Sequence, residues 1–237
     1  MDRRPDPYGS VEGLNLKNPV HAYFYGLCIA DGYLIEMERG RGRVCVELSM
    51  GDNGVLLTLR DLLPWKSTIT HRKRTTNFAT EHASSSLLFF GAGIREEMKA
   101  AGFPTKGKSR AATPPIVPFS APDFWRGVID GDGSLGITAK GLAFVSFVTK
   151  SDALADAYCD YVAAVTGRRP RVNPNKRDGV RNIVLTNARA ADLLDETYED
   201  HWPRIHRKGV MAKKICWNSF PLKNGLTAED ILEVEDG

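Results

Sequence analysis

The chain has 237 residues, of which 42% are hydrophobic and 26% are charged, and its net charge is +3. This length can bury a substantial core, as one large domain or two small ones. No apolar run approaches the roughly 18 residues of a membrane span. The first residues lack the apolar core of a secretory signal, so we expect a cytoplasmic, non-secreted protein.

Charge is distributed unevenly along the chain. Residues 226–237 carry −5, which leaves +8 for the remainder. A basic body with an acidic tail suits a polyanionic partner. The tail begins with Thr227 and has Asp230 three positions on, which predicts a short acidic C-terminal helix. The four cysteines are scattered and without a Cys-x-x-Cys pair, so we expect free thiols.

The first half alternates between helical and strand-like patterns. After a polar arm at 1–17, Asn18-Pro19 is typical of a helix start. Predicted strands cover 33–37, 43–50, 67–74 and 84–90, and predicted helices cover 56–63 and 93–101.

The same order returns after a proline-rich linker at 113–120, which can form neither helix nor central strand. The predicted helices are 121–132, 151–166 and one capped by Asn187, and the predicted strands are 134–139, 142–149, 168–172 and 181–186. We therefore predict an α+β fold of two pseudo-symmetric αββαββα repeats, at 18–112 and 121–225.

One short pattern occurs in both halves, at Tyr25–Gly32 and Arg126–Gly133. In each copy small residues lie four apart, Gly26 with Ala30 and Gly127 with Gly131, so they share one helix face. Such faces allow two helices to approach backbone to backbone. The glycine after each acid suits the left-handed position that closes a helix.

Each copy ends in an acid, Asp31 or Asp132, at a helix C-terminus where the macrodipole disfavours a carboxylate. If the small faces pack together, the two carboxylates converge and repel each other unless a proton or cation lies between them. Hard cations such as Mg²⁺ prefer one or two carboxylates plus phosphate oxygens. A single Asp-Gly is usually only a turn or helix stop, but two matched copies favour a metal-dependent phosphodiester site.

Residues 24–32 and 125–133 resemble the two namesake motifs of a LAGLIDADG homing endonuclease in its single-chain form. Ile29 stands where the motif has its earlier acid, and Tyr25 and Arg126 stand where it has alanine. The resemblance implies a monomer with a saddle-shaped antiparallel sheet under the packed motif helices. It also implies an enzyme that cuts both strands of a long, nearly asymmetric DNA target and leaves short 3′ overhangs. Because Met1 is not a splicing nucleophile and Asp236-Gly237 is not the His-Asn ending of an intein, we expect a free-standing or intron-encoded enzyme.

The resemblance also implies site residues. Asp31 and Asp132, with the carbonyls of Ala30 and Gly131, would hold Mg²⁺ or another divalent cation. In the family a basic residue of each repeat flanks the metals, and Lys108 and Lys208 match that place, 77 and 76 positions after the two acids. That these lysines only contact the DNA backbone is an equally weighted alternative. Lys106 and Arg207 are possible substitutes in the same role.

Strands that alternate basic and apolar residues can bury one face and offer the other to a duplex. The candidate DNA-binding residues are Arg41, Arg43, His71, Arg72, Lys73, Arg74, Arg168, Arg169, Arg171, Lys176, Arg177 and Arg181. Any single one of them can also be an ordinary solvated side chain.

Two other functions remain open from the sequence. The scaffold could be a cleavage-inactive DNA-binding regulator or an RNA-splicing maturase, although such relatives typically lose one or both motif acids. The chain could also be an unrelated basic structural protein, which would leave the paired acids unexplained.

Overall fold

A computed structural model of the chain describes residues 13–37, 42–76, 79–175, 177–199 and 201–223, with the side chains of 75–76, 79–82 and 220–223 left out. Arg41, Lys176, most of the N-terminal arm and the acidic segment 226–237 lie outside the described residues. No helix in the described ranges is both long and apolar enough to cross a membrane.

The first repeat follows the predicted order of helices and strands, with an added single-turn helix at its end. A short 3-10 helix, Met50–Asp52, precedes its second α-helix. Its elements are α1 (Pro19–Asp31), β1 (Gly32–Glu36), β2 (Gly42–Ser49), α2 (Asn53–Leu62), β3 (Ser67–Thr76), β4 (Ala79–Phe90), α3 (Ala92–Ala100) and α4 (Lys108–Ala111).

The second repeat has the same order. Its elements are α5 (Ala121–Asp132), β5 (Gly133–Ile137), β6 (Ala143–Thr149), α6 (Asp152–Thr166), β7 (Val172–Asn175), β8 (Val180–Thr186), α7 (Asn187–Tyr198) and α8 (His206–Lys223). The predicted α+β fold of two αββαββα repeats is confirmed. Residues 112–120, between the repeats, form neither helix nor strand. The exact domain boundaries stay a prediction.

Three sequence-based assignments in the second repeat differ from the structure. The strand predicted from residue 168 begins only at Val172, because Gly167 turns the chain at φ 71° and Pro170 has no N–H for a strand ladder. The cap of α7 is Thr186 rather than Asn187. The 18-residue helix α8 was missed, since its basic start carries no capping signal and its apolar residues form no strong stripe.

Hydrogen bonds join the described strands into two four-stranded antiparallel sheets, one in each repeat. The strand orders are β1-β2-β4-β3 and β5-β6-β8-β7, so the second repeat reproduces the topology of the first. In the first sheet Val44 and Val46 of β2 lie opposite Phe89 and Leu87 of β4, and all four are fully buried. One face of each sheet is therefore the core, and the other is available to a partner.

The two repeats meet where α1 packs against α5. A Cβ on Gly26 would lie 2.1 Å from the Phe124 carbonyl oxygen, and one on Gly127 would lie 2.2 Å from the Tyr23 carbonyl oxygen. Both distances are far inside van der Waals contact, so only glycine permits this approach. The predicted packing of the two small-residue faces is confirmed.

Gly32 and Gly133, which follow the two acids, do not adopt the predicted left-handed conformation. Their φ values are −95° and −91°, because each helix passes directly into the first strand of its repeat. Glycine is required there by space: a Cβ on Gly32 would lie 2.5 Å from the Cys28 Cα, and one on Gly133 would lie 2.6 Å from the Ile129 carbonyl oxygen.

The two residues that stand where the motif has alanine, Tyr25 and Arg126, are buried and hydrogen-bonded. The Tyr25 hydroxyl donates to the Ala101 carbonyl at 3.1 Å. Arg126 is fully buried, donates to the carbonyls of Pro203 and Thr197 and pairs with Asp123 at 2.6 Å. In both repeats the larger side chain ties the motif helix to the end of its own repeat.

The earlier motif acid of the second copy, Asp130, is a structural group. Its carboxylate accepts hydrogen bonds from the hydroxyls of Tyr23 and Tyr198, at 2.7 and 2.6 Å, and from the Ile205 N–H at 2.7 Å. Burial raises its pKa, and these hydrogen bonds oppose the rise. Because Tyr23 belongs to the other repeat, Asp130 helps fix α5 against α1.

We expect Gly127→Ala to lower the free energy of unfolding by about 1–3 kcal/mol or more, because the new methyl group meets backbone that cannot move independently. The matched control is Gly54→Ala in α2, where a Cβ meets nothing within 4 Å. That change should stabilise the protein by about 0.4–1 kcal/mol. Chemical denaturation measures both values, and equal effects of the two substitutions would contradict the packing.

Candidate metal and nucleic-acid site

The two motif acids lie side by side at the C-terminal ends of α1 and α5. A Cβ on Gly131 would lie 2.2 Å from the Ala30 Cβ and 2.9 Å from Asp31 Oδ2, so Asp31 comes directly against the last turn of α5. Asp132 ends that turn. The helix packing thus brings together two carboxylates that are 101 positions apart in the sequence.

The electrostatics of the pair favour a proton or a cation between the acids. Burial, followed by the negative charge of Asp31, raises the pKa of Asp132 to about 6, against the opposing effect of Lys108 and Lys208. Burial also raises the pKa of Asp31, where the same two lysines lower it and Asp52 raises it. Both carboxylates are therefore held in a site that disfavours their charged form unless a positive charge compensates it.

The donor atoms at this position suit a hard divalent cation, which prefers carboxylate oxygens. Among the described residues no cluster of three or more His, Cys, Asp or Glu side chains forms a metal site. The protein would thus supply the two carboxylates, and phosphate and water the remaining ligands. The Ala30 carbonyl, which the sequence suggested as a ligand, already accepts a hydrogen bond from Lys108 at 2.5 Å.

Lys108 lies at the start of α4 and reaches the end of α1. Its Nζ donates to the carbonyls of Ala30 and Cys28, at 2.5 and 3.3 Å. Burial lowers its pKa, while the negative charges around it, including Asp132 and Asp31, raise it. An ammonium has three protons, so one proton of Lys108 is not used by these two carbonyls.

Lys208 occupies the equivalent place at the end of α5 but is more tightly bound. It is 5% exposed. Its Nζ donates to the carbonyls of Ile129, Asp130 and Gly133 at 2.8, 2.6 and 2.7 Å, which uses all three protons. Lys208 thus satisfies the C-terminal carbonyls of α5 and opposes its dipole. The two lysines that the sequence treated as equivalent are therefore different.

The two candidate substitutes for the lysines lie elsewhere. Lys106 is exposed in the turn before α4. Arg207 forms a two-pronged ion pair with Asp52 of the other repeat, at 2.9 and 2.8 Å. Asp52 has no functional signal in the sequence, because an acid just before a helix is normally a cap. Here its side chain makes no cap hydrogen bond; it pairs with Arg207 and its charge acts on Asp31.

A cavity of about 200 Å³ opens beside the acids. Its lining combines one acid, two lysines and the end of the second sheet: Asp132, Lys108, Lys150, Val148 and Val180 are among the residues that form it. By strand alternation Val148 and Val180 belong to the face of the second sheet that points away from the core. This outward face therefore adjoins the paired carboxylates.

In the first sheet the candidate DNA-binding residues divide between the two faces. Because Val44 and Ile69 point to the core, Arg43 on β2 and Arg72 and Arg74 on β3 point outward. Within the described residues the Arg43 Nε has no hydrogen-bond partner, and Arg74 pairs with Glu47 on the same face. His71 and Lys73 alternate to the opposite face, where His71 Nδ1 is 2.9 Å from the Ser85 hydroxyl.

In the second repeat one predicted basic strand, 181–186, is formed as β8, whereas the other does not begin at residue 168. Arg168, Arg169 and Arg171 precede β7, and Arg177 lies in the turn after it. Arg169 pairs with Asp156 and Asp160, Arg177 with Asp178, and Arg181 with Asp152. The predicted symmetry of basic residues on four strands is therefore wrong, because clustered charges in a sequence do not reveal which of them already have acidic neighbours.

No protein-family model and no curated protein matches the sequence. The fold, in contrast, is that of the LAGLIDADG homing endonucleases in their single-chain form, which confirms the resemblance. The homing endonuclease I-WcaI bound to its DNA recognition sequence has a TM-score of 0.61 at 10% identity, over 84% of this chain and 88% of that chain. Mesophilic variants of I-DmoI give 0.57 at 15% identity, over 84% and 100%. The LAGLIDADG homing endonuclease I-LtrWI bound to target DNA gives 0.56 at 10% identity, over 94% and 97%.

We expect the affinity of the protein for Ca²⁺ to fall as the pH is lowered through about 6. Because the pKa of Asp132 is raised to about 6, a proton occupies this carboxylate at lower pH and the cation must displace it. Titration calorimetry between about pH 8 and about pH 5 measures this dependence. Asp132→Asn should flatten the profile and the exposed Asp178→Asn should not, whereas an affinity independent of pH would contradict the assignment.

Proposed function

We propose that this protein is a site-specific DNA endonuclease of the homing type, which hydrolyses both strands of a duplex in a reaction that requires a divalent cation. The observation that carries the proposal is the placement of Asp31 and Asp132 together at the ends of two packed helices, beside a cavity that contains Lys108. Short 3′ overhangs belong to the same proposal, from the family resemblance.

Two further observations support a nuclease over a structural protein. Perturbed carboxylate pKa values cluster at functional sites, and burial together with Asp31 raises the pKa of Asp132 to about 6. The fold is shared with proteins whose structures contain DNA targets, and one of them, I-SmaMI, was solved with uncleaved DNA in the presence of calcium ions. A divalent cation at the acids would compensate both carboxylates and stabilise the charge that develops on a phosphate.

The residues of the chain have distinct parts in this proposal. Asp31 and Asp132 would hold the cation, and Gly131 allows them to meet. Lys108 lines the cavity beside Asp132, and the proton that its two carbonyl partners leave unused can form a hydrogen bond to a phosphate oxygen. Lys208 keeps the end of α5 in place, so we assign it a positioning role. The carbonyls of Ala30 and Gly131 remain proposed ligands, and that of Ala30 would have to be shared with Lys108.

We expect Asp31→Asn and Asp132→Asn each to abolish double-strand cleavage in Mg²⁺ while the protein still binds the target, because one carboxylate cannot replace the pair. Asp178→Asn changes an exposed acid in the β7–β8 turn; it is the control and should cleave at the wild-type rate. A target selected from a randomised duplex library is incubated with each variant, and cleavage and gel-shift binding are measured. Unchanged double-strand cutting by either acid variant would contradict the mechanism. Binding without cleavage by the wild-type protein would favour a cleavage-inactive DNA-binding regulator.

We expect substitutions of the two lysines to have different effects, one on catalysis and one on stability. Lys108→Met should lower the cleavage rate by about a hundredfold or more, because it removes the lysine ammonium group beside the phosphate. Lys208→Met should instead lower the free energy of unfolding by about 1–3 kcal/mol, because three buried carbonyls lose their donor. Single-turnover kinetics and thermal denaturation on both variants test this division. A stable, fully inactive Lys208→Met protein would show that Lys208 acts in the chemistry after all.

A further inference from the structure

The outward faces of the two sheets have different chemistry. On the first sheet Arg43, Arg72 and Arg74 point outward. On the second sheet, alternation from the buried Ile183 and Phe147 places Asn173, Asn182 and Ser146 outward. Among the described strand residues of β5 to β8, none of those that point outward is an Arg or Lys. The Lys150 side chain follows the end of β6 and lines the cavity.

The other basic residues of the second repeat do not remove this difference between the two outward faces. Arg181 alternates toward the core side of β8 and pairs with Asp152 at 2.7 Å. Arg169 and Arg177 lie outside the strands and are held by aspartates. The second sheet therefore presents neutral amides and hydroxyls together with apolar side chains such as Val148 and Val184, whereas the first sheet also presents guanidinium groups.

Two amides of the second sheet are suitably placed to read a base. Asn173 and Asn182 are cross-strand neighbours on β7 and β8. The Ser146 hydroxyl donates to Asn182 Oδ1 at 3.1 Å, which orients the amide and leaves one lone pair of Oδ1 and the N–H₂ group for a ligand. Asn175 differs, because its side chain is bound within the turn to Asp178 and the Arg177 N–H.

On the first sheet Arg43 and Arg72 are well separated. The Nε of Arg43 is buried without a hydrogen-bond partner within the described residues, so no acid holds this atom. Arg43 lies on β2, and Arg72 lies opposite Ser84, which pairs with Ser49 at the other end of β2. Six residues of a strand span roughly 20 Å, so the two guanidinium groups would reach base pairs several steps apart.

In the major groove a guanidinium pairs with the O6 and N7 acceptors of guanine, and an Asn amide pairs with the N6 and N7 of adenine. We propose that the two sheets select chemically different half-sites: guanines under the first sheet, chosen by Arg43 and Arg72, and adenines under the second, chosen by Asn173 and Asn182. The proposal rests on the proposed function in that it needs duplex DNA across both sheets. It does not need cleavage.

The test is the selection of bound duplexes from a randomised library in the presence of Ca²⁺, with gel-shift separation and sequencing of the bound fraction. Wild-type protein should enrich a target with guanines in one half and adenines in the other. Arg43→Gln should reduce guanine preference about tenfold at positions in the first half only. Asn182→Leu should reduce adenine preference to a similar extent in the second half only.

A matched control and a converse variant sharpen the test. Arg60→Gln removes a guanidinium on α2, which packs on the core side of the first sheet, and should leave every base preference unchanged. Asn182→Arg should create a new guanine preference in the second half. Enrichment of targets with the same base preferences in both halves, or an effect of Arg43→Gln and Asn182→Leu on the same half, would overturn the proposal alone. If no duplex is enriched, the proposed function fails with it.

Discussion

The structure depends on the contact between two backbones at Gly26 and Gly127. This contact lets α1 and α5 approach so closely that their last turns touch, and Asp31 and Asp132 then lie side by side. Any side chain at either glycine would separate the helices and, with them, the acids. The packing interface and the candidate site are therefore one feature, since the same small residues determine both.

Placing two carboxylates at helix C-termini is electrostatically unfavourable, both through mutual repulsion and through the helix dipoles. The fold compensates this partly with the half-buried Lys108 and the buried Lys208, which donate to the terminal carbonyls of the same helices. The compensation is unequal. Lys208 is saturated by backbone acceptors, while Lys108 faces the cavity beside Asp132, so the apparent symmetry of the two repeats does not extend to their chemistry.

The duplication made most of the fold predictable. Two copies of one motif, followed each time by the same alternation of patterns, give the order of elements and the packing of the motif helices, because spacing alone determines which face of a helix is small. The ends of individual helices and strands were harder to predict. Arg168 to Arg171 resembled a strand by charge alternation, yet Gly167 and Pro170 govern the backbone there, and α8 has no strong amphipathic pattern to reveal it.

The candidate site, too, was predictable only in part. The proximity of Asp31 and Asp132 followed from the motif, but the pairing of Asp52 with Arg207, 155 positions away, has no local signal. Nor could the sequence show that Arg169 and Arg181 are neutralised by aspartates, since these contacts arise only after folding. The difference between the outward faces of the two sheets thus becomes visible only in the three-dimensional arrangement.

The most direct test of the account is the anomalous scattering of Mn²⁺ in crystals of the protein with a bound DNA target. The account predicts a peak roughly 2.0–2.6 Å from carboxylate oxygens of both Asp31 and Asp132 and next to a backbone phosphate. A complex with DNA on the outward faces but with Mn²⁺ only at other positions would contradict it.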